Sequence, residues 1–79
     1  AIDPRNVQAR QSLAISYLHL GDLHYHPDHY SFQDPETALT YFNRSHEILQ
    51  DVYDTDGSNI RTERLISIVE RRKDMIATL

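Results

Sequence analysis

The sequence has no cysteine and no tryptophan, and only two of its 79 residues are glycine. Without cysteine, the chain can form neither a disulfide framework nor a thiolate metal cage, so no covalent bridge compensates for a small core. A chain of this length buries only about 60–65% of the surface that it exposes when unfolded. Its stability must therefore come from helix packing or from association with further protein.

Positive charge and long apolar segments are also scarce. Eight Lys and Arg residues against twelve Asp and Glu residues give a net charge of −4, whereas binding to a phosphate backbone requires a basic surface. The apolar runs are far shorter than the roughly 20 residues that cross a bilayer. We therefore expect neither nucleic acid nor membrane as a partner, and we predict a cytoplasmic protein. Because the chain begins at Ala1 without an initiator methionine, we expect it to be part of a longer protein.

The few prolines and glycines divide the sequence into segments long enough for helices. Two segments open on Asp-Pro, at residues 3–4 and 34–35, which combines a capping side chain with a proline in the first turn. A polar cluster at 54–59 separates the second segment from a third. The pattern predicts one all-α domain over residues 1–79, with helices at about 4–23, 34–53 and 59–78 and a loop at 24–33.

Apolar residues recur at helical spacing within each segment and predict which face is buried. The first helix is predicted to bury Leu13, Tyr17 and Leu20, flanked by Ala14 and Leu18. The predicted core positions of the second helix are Ala38, Leu39, Phe42, Ser45, Ile48 and Leu49, and those of the third are Leu65, Ile68, Val69, Met75, Ile76 and Leu79.

Two stretches of this pattern resemble the tetratricopeptide repeat, a family of antiparallel helix pairs that stack into superhelical scaffolds. They read Leu13-Ala14-x-x-Tyr17-x-x-Leu20-Gly21-Asp22 and Ala38-Leu39-x-Tyr41-Phe42-x-x-Ser45-x-x-Ile48. In this reading the small residues Gly21, Ala38 and Ser45 let the two helices approach closely, and large aromatic side chains fill the remaining space. The resemblance covers about residues 1–60 and implies a module that binds other proteins.

The sequence departs from the family between Gly21 and Ala38, where about five additional residues enlarge the loop, and at His46, which stands where leucine is common. The third segment lacks a Leu-Gly pair, so it is predicted to be a capping helix rather than the start of another repeat. One helix pair and a cap fall below the roughly three repeats that a stable array needs. We therefore expect further repeats upstream or self-association into a homo-oligomer.

In the family, the inner face of the first helix lines the groove that holds a partner peptide. The resemblance assigns this role to Ile15, Leu18, Asp22 and Tyr25, an apolar patch with one carboxylate that suits an apolar or mildly basic segment. An alternative is that the same patch packs on an upstream repeat, which would make the chain a structural cap or dimerisation segment. The first helix is also similar to repeats in bacterial signalling regulators.

Three histidines and two carboxylates lie close together in the segment 22–29 and are ligand types that zinc or nickel accepts. His24, His26 and His29 are therefore candidate metal ligands, but no second cluster supports them, and an exposed polar loop is the alternative. Ser45 and His46 point about 100° apart on a helix and cannot form a nucleophile and base pair. We predict no cofactor and no enzymatic activity, because no set of converging catalytic groups is visible.

Overall fold

The structure is a computed structural model that describes residues 4–26 and 32–79. These residues form three α-helices. α1 spans Pro4–His24, α2 spans Pro35–Thr55 and α3 spans Ile60–Ala77, and these described residues contain no strand. The prediction of an all-α chain with three helices is confirmed, and the predicted helix ends differ from these by two residues at most. Asp3, the predicted cap of α1, and residues 27–31 of the enlarged loop lie outside the described residues.

Two of the helices begin at side-chain caps. Asp34 Oδ1 accepts a hydrogen bond from the backbone N–H of Thr37 at 3.1 Å, and the Thr37 hydroxyl donates to Asp34 Oδ2 at 2.6 Å. These two bonds, the hydroxyl bond first, lower the pKa of the Asp34 carboxyl below its ordinary value. Asn59 caps α3 in the same way, because its Oδ1 accepts from the N–H of Thr62 at 3.1 Å.

The helices form an antiparallel hairpin with a third helix laid along it. Across the hairpin the Ser45 hydroxyl donates to the carbonyl oxygen of Ala14 at 2.7 Å. The rings of Tyr17 and Tyr41 stack nearer the loop with centroids 6.1 Å apart. α3 runs parallel to α1, since Gln11 bonds to Thr62 near the start of both helices. The arrangement of the three helices confirms the predicted antiparallel helix pair with an additional third helix.

The two hairpin helices come closest where α1 has a glycine. A Cβ atom added at Gly21 would lie 2.6 Å from Cδ1 and 2.8 Å from Cζ of Phe42, well inside van der Waals contact. Phe42, Ala38 and Ser45 are all 0% exposed. The predicted role of the small residues in allowing close helix approach is therefore confirmed for this crossing.

The core face of α1 is only partly the one that the sequence predicted, since Ala14 and Leu18 are buried as expected. Leu13 is 50% exposed and Leu20 is 39% exposed, so their assignment to the core was wrong. The residues of α1 that are buried are Val7, Gln11, Ala14, Leu18 and Gly21. The prediction failed because α1 carries apolar residues on two sides, and spacing alone cannot tell which side the other helices cover.

The other two helices agree better with the predicted pattern. In α2, four of the predicted core residues are at most 1% exposed and the remaining two are half-buried. In α3, Val69 is 0% exposed, but Ile68 is 36% exposed. Leu79, which follows the end of α3, is 69% exposed, and neither Ile68 nor Leu79 belongs to the core. Thr62 is buried instead, and its hydroxyl oxygen accepts a hydrogen bond from the side-chain amide of Gln11.

Candidate docking surface

α1 is apolar on two sides, and the rest of the described structure covers only one of them. The buried side follows residues 7, 11, 14, 18 and 21, and the uncovered side follows residues 9, 13, 16, 20 and 23. At 100° per residue the two rows lie about 160° apart around the helix axis. We call the uncovered row the outer stripe; it consists of Ala9, Leu13, Ser16, Leu20 and Leu23, and all five residues are exposed.

Aromatic side chains border one edge of the outer stripe. His24 lies at their centre, since its ring stacks on Tyr41 with centroids 5.4 Å apart and meets Phe32 edge to face at 5.3 Å. Tyr41 in turn stacks on Tyr17. Phe32 is 62% exposed, so it extends the apolar surface beyond the C-terminal end of α1. The hydrogen bond from its backbone N–H to the carbonyl oxygen of Leu23, 3.1 Å long, holds it there.

The outer stripe carries no charged group. Among the exposed positions of α1 from residue 6 to residue 24 there is no Asp, Glu, Lys or Arg. The outward face of α2 differs, because its exposed positions are polar or charged throughout: Glu36, Thr40, Asn43, Arg44, Glu47, Gln50, Asp51, Asp54 and Thr55. A row of exposed leucines on one helix of a small protein is the kind of patch that commonly marks an interaction site.

The four residues predicted to line a partner groove lie on the α3 side of α1. Leu18 is 6% exposed and belongs to the core. Asp22 accepts a hydrogen bond at 2.9 Å from Nε of Arg72 on α3, and both side chains are about one quarter exposed. Ile15 and Tyr25 are half-buried, and Tyr25 packs against the core. α3 engages Asp22 through this bond, and the assignment of these four residues to a partner groove stays a prediction.

Two of the three candidate metal ligands, His24 and His26, lie within the described residues. The ring of His24 is held between Tyr41 and Phe32, and its Nδ1 is buried without a hydrogen-bond partner among the described residues. His26 is 6% exposed, and His29 lies outside the described residues. Within residues 4–26 and 32–79, no three His, Cys, Asp or Glu side chains are grouped so that they could hold a metal ion.

A cleft of about 370 Å³, lined by residues with polar side chains, opens between α2 and α3. His46 crosses it, because Nζ of Lys73 donates to its Nδ1 at 3.1 Å and Oε1 of Glu70 lies 3.9 Å from its Nε2. The histidine that replaces the expected leucine thus meets charged groups of α3 at the cleft instead of filling an apolar core. This arrangement ties α2 to α3.

Comparisons with protein-family models, with curated proteins and with solved structures find no match to this chain. The resemblance to tetratricopeptide repeats therefore stays a prediction. No helix within the described residues has the length and apolar character that spanning a membrane requires.

The apolar pattern of the sequence indicated part of the outer stripe but assigned it to the core. Leu13 and Leu20 were identified as apolar positions but placed in the core, and Leu23 and Phe32 were not singled out. The sequence does contain a pattern that indicates this second face. Residues 9, 13, 16, 20 and 23 repeat the spacings of four and three that the buried row has. A helix with two such rows is expected to contact protein on both sides.

Proposed function

We propose that this chain is a protein-interaction module of tetratricopeptide type that acts by binding another protein and not by catalysis. Its docking surface is the outer stripe with the adjoining Phe32. The partner presents an apolar helix face, because a helical row of leucines at spacings of four and three accepts the side chains of a facing helix. The setting that we propose is cytoplasmic, within a larger regulatory protein.

The observation that supports this proposal is the uneven distribution of apolar surface over the three helices. Leu13, Leu20 and Leu23 are 50%, 39% and 48% exposed although they lie on one helix face with no charged residue among them. Single exposed leucines are ordinary on protein surfaces. A continuous row beside an aromatic edge is not, and it costs solubility unless protein covers it.

The alternative is that the chain is a structural cap or dimerisation segment whose outer stripe packs on an upstream repeat of the same polypeptide. The exposed stripe is consistent with that arrangement as well. Leu18→Lys cannot separate the two functions, because Leu18 is buried and its replacement disrupts the core under either one. Leu20→Lys instead tests the outer stripe without disturbing the core, since Leu20 is 39% exposed in the 79-residue chain.

Site-specific cross-linking tests the proposal. A photoreactive benzoylphenylalanine replaces Leu20 in one sample and Ser67, an exposed residue of α3 among charged neighbours, in the matched control. After irradiation in extract of the source cells, we expect covalent protein adducts from position 20 and none from position 67. Adding Leu13→Lys should remove the adducts while circular dichroism stays unchanged. Equal adduct yields from the two positions, or adducts that survive Leu13→Lys, would contradict the proposed surface.

A further inference from the structure

Resting on the proposed docking surface, we propose that its occupant is a second copy of this chain, with the two α1 helices packed antiparallel about a two-fold axis at Ser16. This names the partner that the stripe fits best. The case depends on the order of side-chain sizes along the stripe, on its lack of charge and on the hydrogen bonding of Ser16.

The outer stripe reads nearly the same in both directions. Its residues Ala9, Leu13, Ser16, Leu20 and Leu23 follow at spacings of four, three, four and three. When a second α1 is reversed about Ser16, Leu13 lies level with Leu20 of the second copy to within one residue, about 1.5 Å. Ala9 lies level with Leu23 of the second copy. Leu23 of each copy thus meets the small Ala9 of the other at both ends of the contact. The two Leu13–Leu20 pairs lie on either side of the small Ser16 at its centre.

Ser16 suits the position on the axis. It is small, so two helices can approach closely where their surfaces cross. Its hydroxyl already donates to the carbonyl oxygen of Ser12 in its own helix at 3.1 Å. Burying Ser16 against its own symmetry mate therefore leaves no hydroxyl without a hydrogen bond, which removes the main penalty of a polar residue at an interface.

Charge also favours a second copy over a heterologous partner. The five residues of the stripe carry no ionic group, and Arg10 beside it is already paired with Asp51, so a charged partner face would lose hydration without gaining a free counter-ion. A second copy presents the same neutral surface, and no charge is buried. The antiparallel order places the exposed Arg5 residues of the two copies at opposite ends and sets the helix dipoles against each other. A parallel pair would bring both Arg5 residues together.

The dimensions of the stripe set the expected strength. From Ala9 to Leu23 it extends about 21 Å along the helix, which is the length of a short helix-to-helix contact. Specific interfaces bury at least about 1,000 Å² in total, and contacts at the lower limit are weak and transient. The dimer should therefore form reversibly and depend on protein concentration. A measurement must reach several hundred micromolar to observe it.

Sedimentation equilibrium of the 79-residue chain from about 5 to 500 µM, a range that covers weak association, tests this. We expect the mass to rise from 9.2 kDa towards twice that value. Ser16→Arg and Ser16→Glu, each alone, should raise the dissociation constant at least tenfold, because two like charges would meet on the axis. An equimolar mixture of the two variants should associate again. Asn43→Arg, on the exposed face of α2, serves as the control and should dimerise like the parent chain.

Each other outcome overturns the inference in a distinct way. A parent chain that stays monomeric at 500 µM excludes the dimer, yet adducts to a different protein from position 20 would leave the proposed docking function intact. Single variants that associate normally would show that the outer stripe is not the contact. If both variants are monomeric and the mixture is too, the stripe meets another face, such as the exposed Ile68 of α3, head to tail. Far-ultraviolet circular dichroism confirms that each variant is folded.

Discussion

Replacing Gly21 by alanine should destabilise the protein, although the same change stabilises most helices. Gly21 lies inside α1, where alanine is favoured over glycine by about 1 kcal/mol because it loses less backbone entropy. Here the new methyl group would lie 2.6 Å from Cδ1 and 2.8 Å from Cζ of Phe42. Phe42 is 0% exposed, so its ring cannot move aside into solvent. The two helices must separate or the ring must leave its rotamer.

The balance of these effects gives the expected magnitude. Overpacking of a filled core costs about 1–3 kcal/mol, and the helix propensity of alanine offsets about 1 kcal/mol of it. We therefore expect a net loss of up to about 2 kcal/mol in the free energy of unfolding. For a domain of this size each kcal/mol lowers the midpoint of thermal unfolding by about 4–8 °C.

Thermal unfolding followed by circular dichroism measures this loss, and the protein supplies its own control. At Gly57 an added Cβ would lie 3.5 Å from the carbonyl oxygen of Tyr53, an ordinary contact, and the glycine does not have a positive φ. Gly57→Ala should therefore leave the midpoint unchanged or raise it slightly. Combining Gly21→Ala with Phe42→Leu should recover part of the loss from Gly21→Ala, because the shorter side chain makes room. A midpoint that rises in Gly21→Ala would refute the close crossing of α1 and α2.

Two further predictions concern polar groups that fix the helices. Gln11→Leu should lower the free energy of unfolding, measured in urea, by about 1–3 kcal/mol, because it removes the 2.8 Å bond to the buried hydroxyl of Thr62. Adding Thr62→Val should restore most of the lost free energy. Losses that add in the double variant would contradict the pairing. Folding lowers the pKa of Asp34 through its bonds to Thr37. The contribution of the Asp34 carboxylate to folding stability is therefore complete above pH 3.8, the ordinary pKa, and is lost as the pH falls through the lowered pKa. Asp34→Asn should flatten the decline in thermal midpoint between about pH 5 and pH 2, and an unchanged slope would exclude the effect.

Helix number and helix ends could be predicted because they depend on local chemistry. Pro4 and the pair Asp34-Pro35 mark helix starts, since proline fixes φ and needs no hydrogen bond in the first turn. The polar residues at 54–59 compete with helix formation through side-chain bonds to the backbone, and Asp56 indeed accepts from the N–H of Ser58 at 3.3 Å. Such signals act over a few residues and do not depend on how the rest of the chain packs.

The choice of buried face could not be predicted for α1, because it depends on where distant helices lie. Leu13 and Leu18 have the same side chain and both lie on apolar rows, yet one is 50% exposed and the other 6%. Gln11 was not identified at all, since its burial requires an acceptor on α3, 51 positions further along the chain. Sequence period shows that a face is apolar, but only the tertiary contacts decide what covers it.

The exposed side of α1 also limits how tightly the surface can bind. Burying a whole leucine or phenylalanine side chain contributes about 1.5–3 kcal/mol, and Leu13, Leu20, Leu23 and Phe32 are between 39% and 62% exposed. Each therefore has about 1 kcal/mol still to gain, or about 4–5 kcal/mol per copy and about 9 kcal/mol for a symmetric pair. Association itself costs about 4–15 kcal/mol. The two terms nearly cancel, so a pair held by this stripe alone must dissociate readily. A tighter complex would need contacts beyond these four side chains.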